Sequence, residues 1–110
     1  MSRCVEIRSY TLKPGTGAEF HRLVVERSLP LLQGWQVDVV AYGPSADDAD
    51  SYFLIRAFDS LEARAQSEAA FYGSAEWREG PREAIMALIE HYTTVVLPLD
   101  EPAVQALRRS

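Results

Sequence analysis

Three charged side chains occupy positions where a β-strand would normally carry apolar ones. Glu6 and Arg8 alternate with apolar residues in the segment 4–12, and Arg56 lies in the middle of the apolar segment 51–58. Buried charges are normally paired, so we expect Glu6 to pair with one arginine and to leave the other guanidinium free for a carboxylate or similar anion. Arg56 has no evident local partner, which predicts a ligand or a contact from a second subunit. The alternative is a purely structural ion-pair cluster at a subunit interface.

Tyrosine and histidine side chains supply further candidates for the same site. Tyrosines could hold an aromatic substrate or donate a proton, although at an interface they more often only pack. His91, which begins the last predicted strand, is the better candidate for a general base, and Tyr10 is a second catalytic candidate. The alternative for His91 is a strand-edge residue without catalytic function, and His21 is expected at the surface or boundary. The tyrosines expected around the site are Tyr10, Tyr42 and Tyr52.

A break in the helical pattern after Gly73 places an indole close to two guanidinium groups. Trp77 lies in the break, with Arg78 beside it and Arg82 at the start of the next helical pattern. An arginine can stack on an indole ring, so Trp77 and Arg82 are candidates for ligand binding at the rim of a pocket. The alternative is that Trp77 simply closes the end of the core.

Composition excludes several other functions. The net charge of −5 argues against nucleic acid, whose phosphates require basic patches. No stretch is apolar enough for a membrane span, and no signal-peptide pattern is present, so a cytoplasmic location is expected. Cys4 is the only cysteine, which rules out an internal disulfide and a cysteine-based metal cage. Neither histidine has a second ligand at suitable spacing, so we expect no metal, and no motif predicts a cofactor.

The pattern of apolar residues predicts the elements that must hold these side chains. Four strands are expected at about 4–12, 36–43, 51–58 and 91–98. Three helices are expected at about 17–32, 60–72 and 81–89, the first kinked at Pro30. The order β-α-β-β-α-β predicts an α+β, ferredoxin-like sandwich with an antiparallel sheet. The inward stripe of the second helix is expected to be Leu61, Ala65, Ala69 and Tyr72.

We expect the helices to cover one face of this sheet and to leave the charged face uncovered. The uncovered face would carry Glu6, Arg8 and Arg56 among the residues Tyr10, Val40, Tyr42, Tyr52, Leu54 and Phe58. A surface this apolar is not expected to face water, so the sequence predicts a homodimer that buries it. The facing of the last strand is ambiguous. A single domain is expected over 1–110, with its core at about 4–98 and a tail at 99–110 that frays or packs on a partner.

Three segments resemble NIPSNAP-family domains in order and spacing. They are Glu6–Gly15 with Glu19-Phe20 and Leu29–Leu32, then Phe58–Arg64, then Phe71–Arg78. The resemblance covers roughly residues 5–98 and implies a dimeric α/β barrel, in which two ferredoxin-like sheets face each other across a cavity. It implies no particular reaction. Neighbouring families of this barrel include cofactor-free monooxygenases, isomerases and haem-degrading enzymes, which is an analogy of fold only.

Three functions are compatible with these observations. The first is a homodimer that binds a small aromatic or carboxylated molecule in its cavity. The second is a cofactor-independent monooxygenase or isomerase that uses His91 and tyrosines near Arg56. The third is a non-catalytic interaction module with a filled interior. A cavity larger than about 300 Å³ and lined by Arg56 and tyrosines would favour the first two, because ligand pockets begin at that size.

Overall fold

A four-stranded antiparallel sheet forms the centre of the computed structural model, which describes residues 2–108. The strands are β1 (Ser2–Leu12), β2 (Asp38–Pro44), β3 (Ser51–Phe58) and β4 (Ile89–Asp100). Their order across the sheet is β2-β3-β1-β4, and every neighbouring pair is antiparallel. The predicted α+β class with a ferredoxin-like βαββαβ core is therefore confirmed.

Six helices and one π-helical turn complete the described part of the chain. They are α1 (Gly17–Leu23), the π-helical turn (Val24–Ser28), α2 (Leu29–Gly34), α3 (Leu61–Gly73), α4 (Ala75–Arg78), α5 (Arg82–Met86) and α6 (Glu101–Leu107). No described helix is both long and apolar enough to cross a membrane.

The π-helical turn replaces the simple kink that the sequence predicts in the first helix. Pro30 has no N–H and cannot donate to the carbonyl of Glu26, so the α-helical ladder is interrupted at this point. The preceding turn widens, and the N–H of Leu29 donates to the carbonyl of Val24, five residues earlier. Helix α2 then continues to Gly34.

Helix α3 turns a polar stripe towards the sheet. Of the predicted inward stripe, Leu61 is 68% exposed, and Ala65 and Ala69 are exposed as well. The side chains that do face the sheet are Arg64, Glu68, Phe71 and Tyr72. The prediction was correct for Tyr72 and wrong for the other three residues, because the strand residues opposite this helix are themselves charged and require polar partners.

Helices α1–α5 cover the charged face of the sheet, which was expected to be uncovered. Tyr10, Tyr52, Leu54 and Phe58 pack in one core with apolar residues of these helices. Strand periodicity shows which residues share a face, but not which face the helices take when both faces are apolar. Val40 lies on the opposite face from Tyr42, because the register of β2 shifts between Val39 and Ala41.

The opposite face of the sheet is only partly covered, by the C-terminal helix. Val104 of α6 is fully buried against Val5, Val40 and Ala57. The prediction that the tail frays was wrong for residues 101–107, because Asp100 caps α6 through a 3.0 Å bond from the Ala103 N–H. Packing of the tail on a partner stays a prediction, and residues 109–110 lie outside the described residues. Val95 of β4 lies on the same face but is not covered by α6, and it is 60% exposed.

Candidate functional site

A cavity of about 400 Å³ lies between the charged sheet face and helices α3–α5. Arg8 and Tyr10 of β1, Trp77 of α4 and Arg82 of α5 line it, so the structure brings together four of the predicted site residues. Its other lining residues are Glu68, Tyr72, Ile85, Met86, Ile89 and Tyr92. The cavity is within the size range of small-molecule pockets.

A buried ion cluster forms the floor of this cavity. Glu6 is fully buried and lies opposite Arg56 in the β1–β3 register. Its carboxylate accepts hydrogen bonds from Arg56 Nε at 2.9 Å and from Arg64 Nε at 2.8 Å. Glu68 lies 3.3 Å from Arg56 Nη2, and Arg8 Nη2 lies 3.7 Å from Glu6. Three guanidinium groups thus meet two carboxyl groups, and one positive charge remains even when both carboxyl groups are ionised.

Arg56 is paired within its own chain, contrary to the expectation that it would need a ligand or a second subunit. Glu6, Glu68 and Tyr72 all contact its guanidinium group. The sequence could not reveal this arrangement, because the partners come from β1 and α3, far away in the chain. Arg8 is instead the guanidinium that lines the cavity.

The side chain of Arg8 is held at the cavity wall by neutral groups as well as by charges. Its Nη1 donates to the hydroxyl oxygen of Tyr72 at 3.1 Å, and its Nε donates to Thr94 at 3.3 Å. The guanidinium carbon lies 4.9 Å from the ring centre of Tyr92, within the range of a cation–π interaction. These contacts fix the direction of the group without neutralising its charge.

The hydroxyl group of Tyr72 joins the ion cluster to the cavity. Its oxygen accepts from Arg8 Nη1 at 3.1 Å and from Arg56 Nη1 at 2.8 Å. A phenolic oxygen that already accepts two hydrogen bonds can make one more, as a donor through its own O–H. No hydrogen bond among residues 2–108 uses that proton, so it is available to a bound molecule.

The two carboxyl groups of the cluster differ in acidity. Burial opposes the ionisation of Glu6, but the hydrogen bond with Glu68 and the charge of Arg56 prevail and lower the pKa of Glu6 to about 2. Burial, together with the neighbouring Glu6, raises the pKa of Glu68 to about 7. Glu6 therefore stays ionised, and Glu68, which lines the cavity, is the group that exchanges a proton near neutral pH.

Two of the predicted tyrosines lie outside the cavity. Tyr52 is buried beside α1, where its hydroxyl group is 2.7 Å from His21 Nδ1. The His21 ring also stacks with Tyr42 at a centroid distance of 6.3 Å. Burial raises the pKa of Tyr52, and it raises that of Tyr10 to about 12. Tyr42 and Tyr52 therefore support the core beside the cavity.

His91 lies on the sheet face opposite the cavity. It pairs with Thr11 in the β1–β4 register, and its Nε2 is 3.3 Å from the Thr11 hydroxyl oxygen. Nothing in this position supports a function as a base in the cavity.

The site residues missed from the sequence include three on α3 and Tyr92 of β4, which lines the cavity. Arg64, Glu68 and Tyr72 follow one another at four-residue spacing, so they share one helix face. This four-residue spacing was the sequence pattern that could have identified the three residues on α3. A charged helix stripe that complements charged strand positions would have identified these residues.

Comparison with known protein families identifies the chain. The family model for NIPSNAP matches residues 5–99. The chain belongs to the NIPSNAP family. This confirms the resemblance carried by the three sequence segments. A comparison with curated proteins finds no match.

Solved structures of other NIPSNAP proteins share this fold. A NIPSNAP protein of unknown function from Agrobacterium tumefaciens is 24% identical and has a TM-score of 0.80 over 88% of this chain and 87% of its own. A NIPSNAP-like domain protein from Burkholderia xenovorans is 21% identical, with a TM-score of 0.81 over 90% and 86%. A candidate antibiotic biosynthesis monooxygenase from Nitrosomonas europaea is 16% identical, with a TM-score of 0.66 over 86% and 95%. At these identities the similarity concerns the fold alone.

Proposed function

We propose that this NIPSNAP-family protein binds a small aromatic carboxylate in the cavity between its sheet and helices α3–α5. The observation that carries the proposal is the positive charge at the cavity wall. Arg8 belongs to a cluster with one guanidinium in excess, and Arg82, which is exposed at the rim, has no carboxylate of a described residue within ion-pair distance. A guanidinium group can bind a carboxylate through two parallel hydrogen bonds.

The apolar part of the ligand follows from the rest of the lining. Trp77 and Ile85 are buried, and the exposed ring of Tyr92 closes one side of the cavity. Flat aromatic walls beside a cation suit a ligand that carries a ring next to its carboxylate.

Isothermal titration calorimetry with phenylacetate and its neutral analogue phenylacetamide tests this proposal. We expect phenylacetate to bind at least about tenfold more tightly, because a charged hydrogen bond contributes about 1.5–3 kcal/mol. Arg82→Gln should remove most of this difference, whereas Arg78→Gln, an exposed neighbour outside the cavity lining, should leave it unchanged. Equal affinities for the two probes would contradict the proposal.

We also propose that the protein is a homodimer, although the face expected to mediate it is covered by helices. The support now comes from the opposite sheet face. Val95 is 60% exposed there, and Ile7, Ile55 and Leu97 are only half-buried. Burial of this apolar surface against the same surface of a second copy would remove it from water.

The two other functions are affected differently by the structure. An interaction module with a filled interior is disfavoured by the cavity of about 400 Å³. A cofactor-independent monooxygenase or isomerase remains a second candidate, because a carboxyl group with a pKa near 7 lines that cavity. Catalysis there would have to use a group other than His91.

A further inference from the structure

We infer that Glu68 is the proton acceptor of a proton-transfer reaction in this cavity, acting on a carboxylate that carries an acidic C–H bond next to a carbonyl group. The substrate class is that of aromatic 2-oxo acids and related dicarbonyl acids. The inference rests on the proposed function, because the substrate must first bind through its carboxylate.

Glu68 is the single proton acceptor among the described residues that line the cavity. The lining contains no imidazole, thiol or second carboxylate. Arginine side chains do not release their protons in proteins, and a tyrosine is an effective base only far above neutral pH. The Glu68 side chain is 17% exposed, so a bound molecule can reach it.

The position of Glu68 is fixed from several sides. Its Oε1 lies 3.4 Å from Arg64 and 3.8 Å from Arg8, and its Oε2 lies 3.3 Å from Arg56 Nη2. A base held in one orientation loses little freedom when the reaction begins. The charged or titratable groups near Glu68 come from the elements packed against it. They are Cys4, Glu6, Arg8 and Tyr10 of β1, Arg56 of β3, Arg64 and Tyr72 of α3, Arg82 of α5 and Tyr92 of β4.

The same cavity wall can stabilise the anion that proton removal creates. The C–H bond breaks, its proton moves to a Glu68 carboxylate oxygen, and its electron pair forms the enolate, with the negative charge on the carbonyl oxygen. The unused O–H of Tyr72 and the N–H groups of Arg8 are donors for that oxygen. Return of the proton to carbon or oxygen completes an exchange or a tautomerisation, and no oxidant or cofactor is consumed.

The acidity of Glu68 suits this function. Because burial and Glu6 raise its pKa to about 7, the carboxyl group is partly ionised at neutral pH and binds a proton more strongly than an ordinary glutamate. General bases are most effective when their pKa lies near the working pH.

Proton exchange of phenylpyruvate in D₂O, followed by ¹H NMR, tests the inference. The protein should accelerate loss of the C3 proton signal over buffer alone. Glu68→Gln should reduce that acceleration by about 100-fold or more, the usual contribution of a general base. Glu62→Gln, an exposed change on the same helix, should leave the rate unchanged.

The pH profile separates catalysis from a structural function. The wild-type rate should rise as the pH increases through about 7, where Glu68 loses its proton. Glu68→Asp, which keeps a carboxylate, should retain measurable exchange. If Glu68→Gln does not fold, exchange catalysed by Glu68→Asp supports the inference, and a folded Glu68→Asp protein that exchanges only at the buffer rate contradicts it. Wild-type protein that binds phenylpyruvate in a calorimetric titration but exchanges its protons at the buffer rate would overturn this inference alone. Absence of binding would overturn the proposed function as well.

Discussion

The charged side chains beneath the cavity differ in what they contact. Glu6 and Arg56 are completely buried and contact groups of their own chain, so their function is structural. Arg8 and Glu68 contact the same cluster but also line the cavity. The sequence predicted the charged strand positions correctly from their unusual surroundings. It wrongly predicted that Arg56 rather than Arg8 faces the cavity, because pairing depends on the β1–β3 register and on α3, which local patterns do not determine.

Removal of the Glu6 carboxylate tests its structural function. Glu6→Gln should lower the free energy of unfolding by about 3 kcal/mol or more, because it leaves buried guanidinium groups without their main counter-charge. Urea denaturation measures the change, with Glu62→Gln as an exposed control. A loss below about 1 kcal/mol would show that other groups compensate the buried arginines.

The acidity of Glu68 predicts a pH dependence of stability. Its pKa rises from 4.5 to about 7 on folding, so the folded state binds more protons between these pH values. The resulting stabilisation is full below the unfolded value of 4.5 and is lost as the pH rises through about 7. Glu68→Gln cannot titrate, so its Tm should fall less than that of wild type across this range. Parallel Tm curves for the two proteins would contradict the assignment.

At the scale of elements, α6 is the feature that departs most from expectation. The segment looked like a tail because it is short and follows the predicted core. The helix is nevertheless anchored at both ends, by the Asp100 cap and by two 2.8 Å bonds from Arg108 to Asp38. It packs on β1, β2 and β3 as well as on the adjacent β4, and local patterns do not indicate the packing on the three distant strands.

Substitution of Val104 tests whether α6 is part of the fold. Val104→Ala should lower the free energy of unfolding by about 2 kcal/mol, through lost burial and the cavity that remains. Leu107→Ala, at a more exposed position of the same helix, should cost clearly less. Equal effects of the two substitutions in chemical denaturation would indicate that α6 does not pack as described.

At the scale of the whole molecule, the two faces of the sheet differ in what covers them. The charged face and the helices enclose the cavity, whereas the other face has an apolar area that α6 does not cover. Alternation along the strands predicted which residues share a face, apart from Val40 at the β2 register shift. The choice of covered face could not be predicted, because both faces carry apolar residues.

The proposed dimer gives a prediction at this scale. Light scattering should give a mass of two chains at micromolar concentration. Val95→Lys should give a folded monomer, because a charge on the open face opposes its burial. Glu62→Lys, far from that face on α3, is the matched control and should remain dimeric. Wild-type protein that stays monomeric would contradict the dimer proposal and leave the cavity proposal intact.

A crystal structure of the protein with phenylacetate tests the central claim most directly. We predict that the ligand lies in the cavity between the sheet and α3–α5, with its carboxylate within hydrogen-bond distance of Arg8 or Arg82 and its ring beside Trp77. Phenylacetate bound elsewhere, with this cavity holding only water at saturating ligand, would contradict the account.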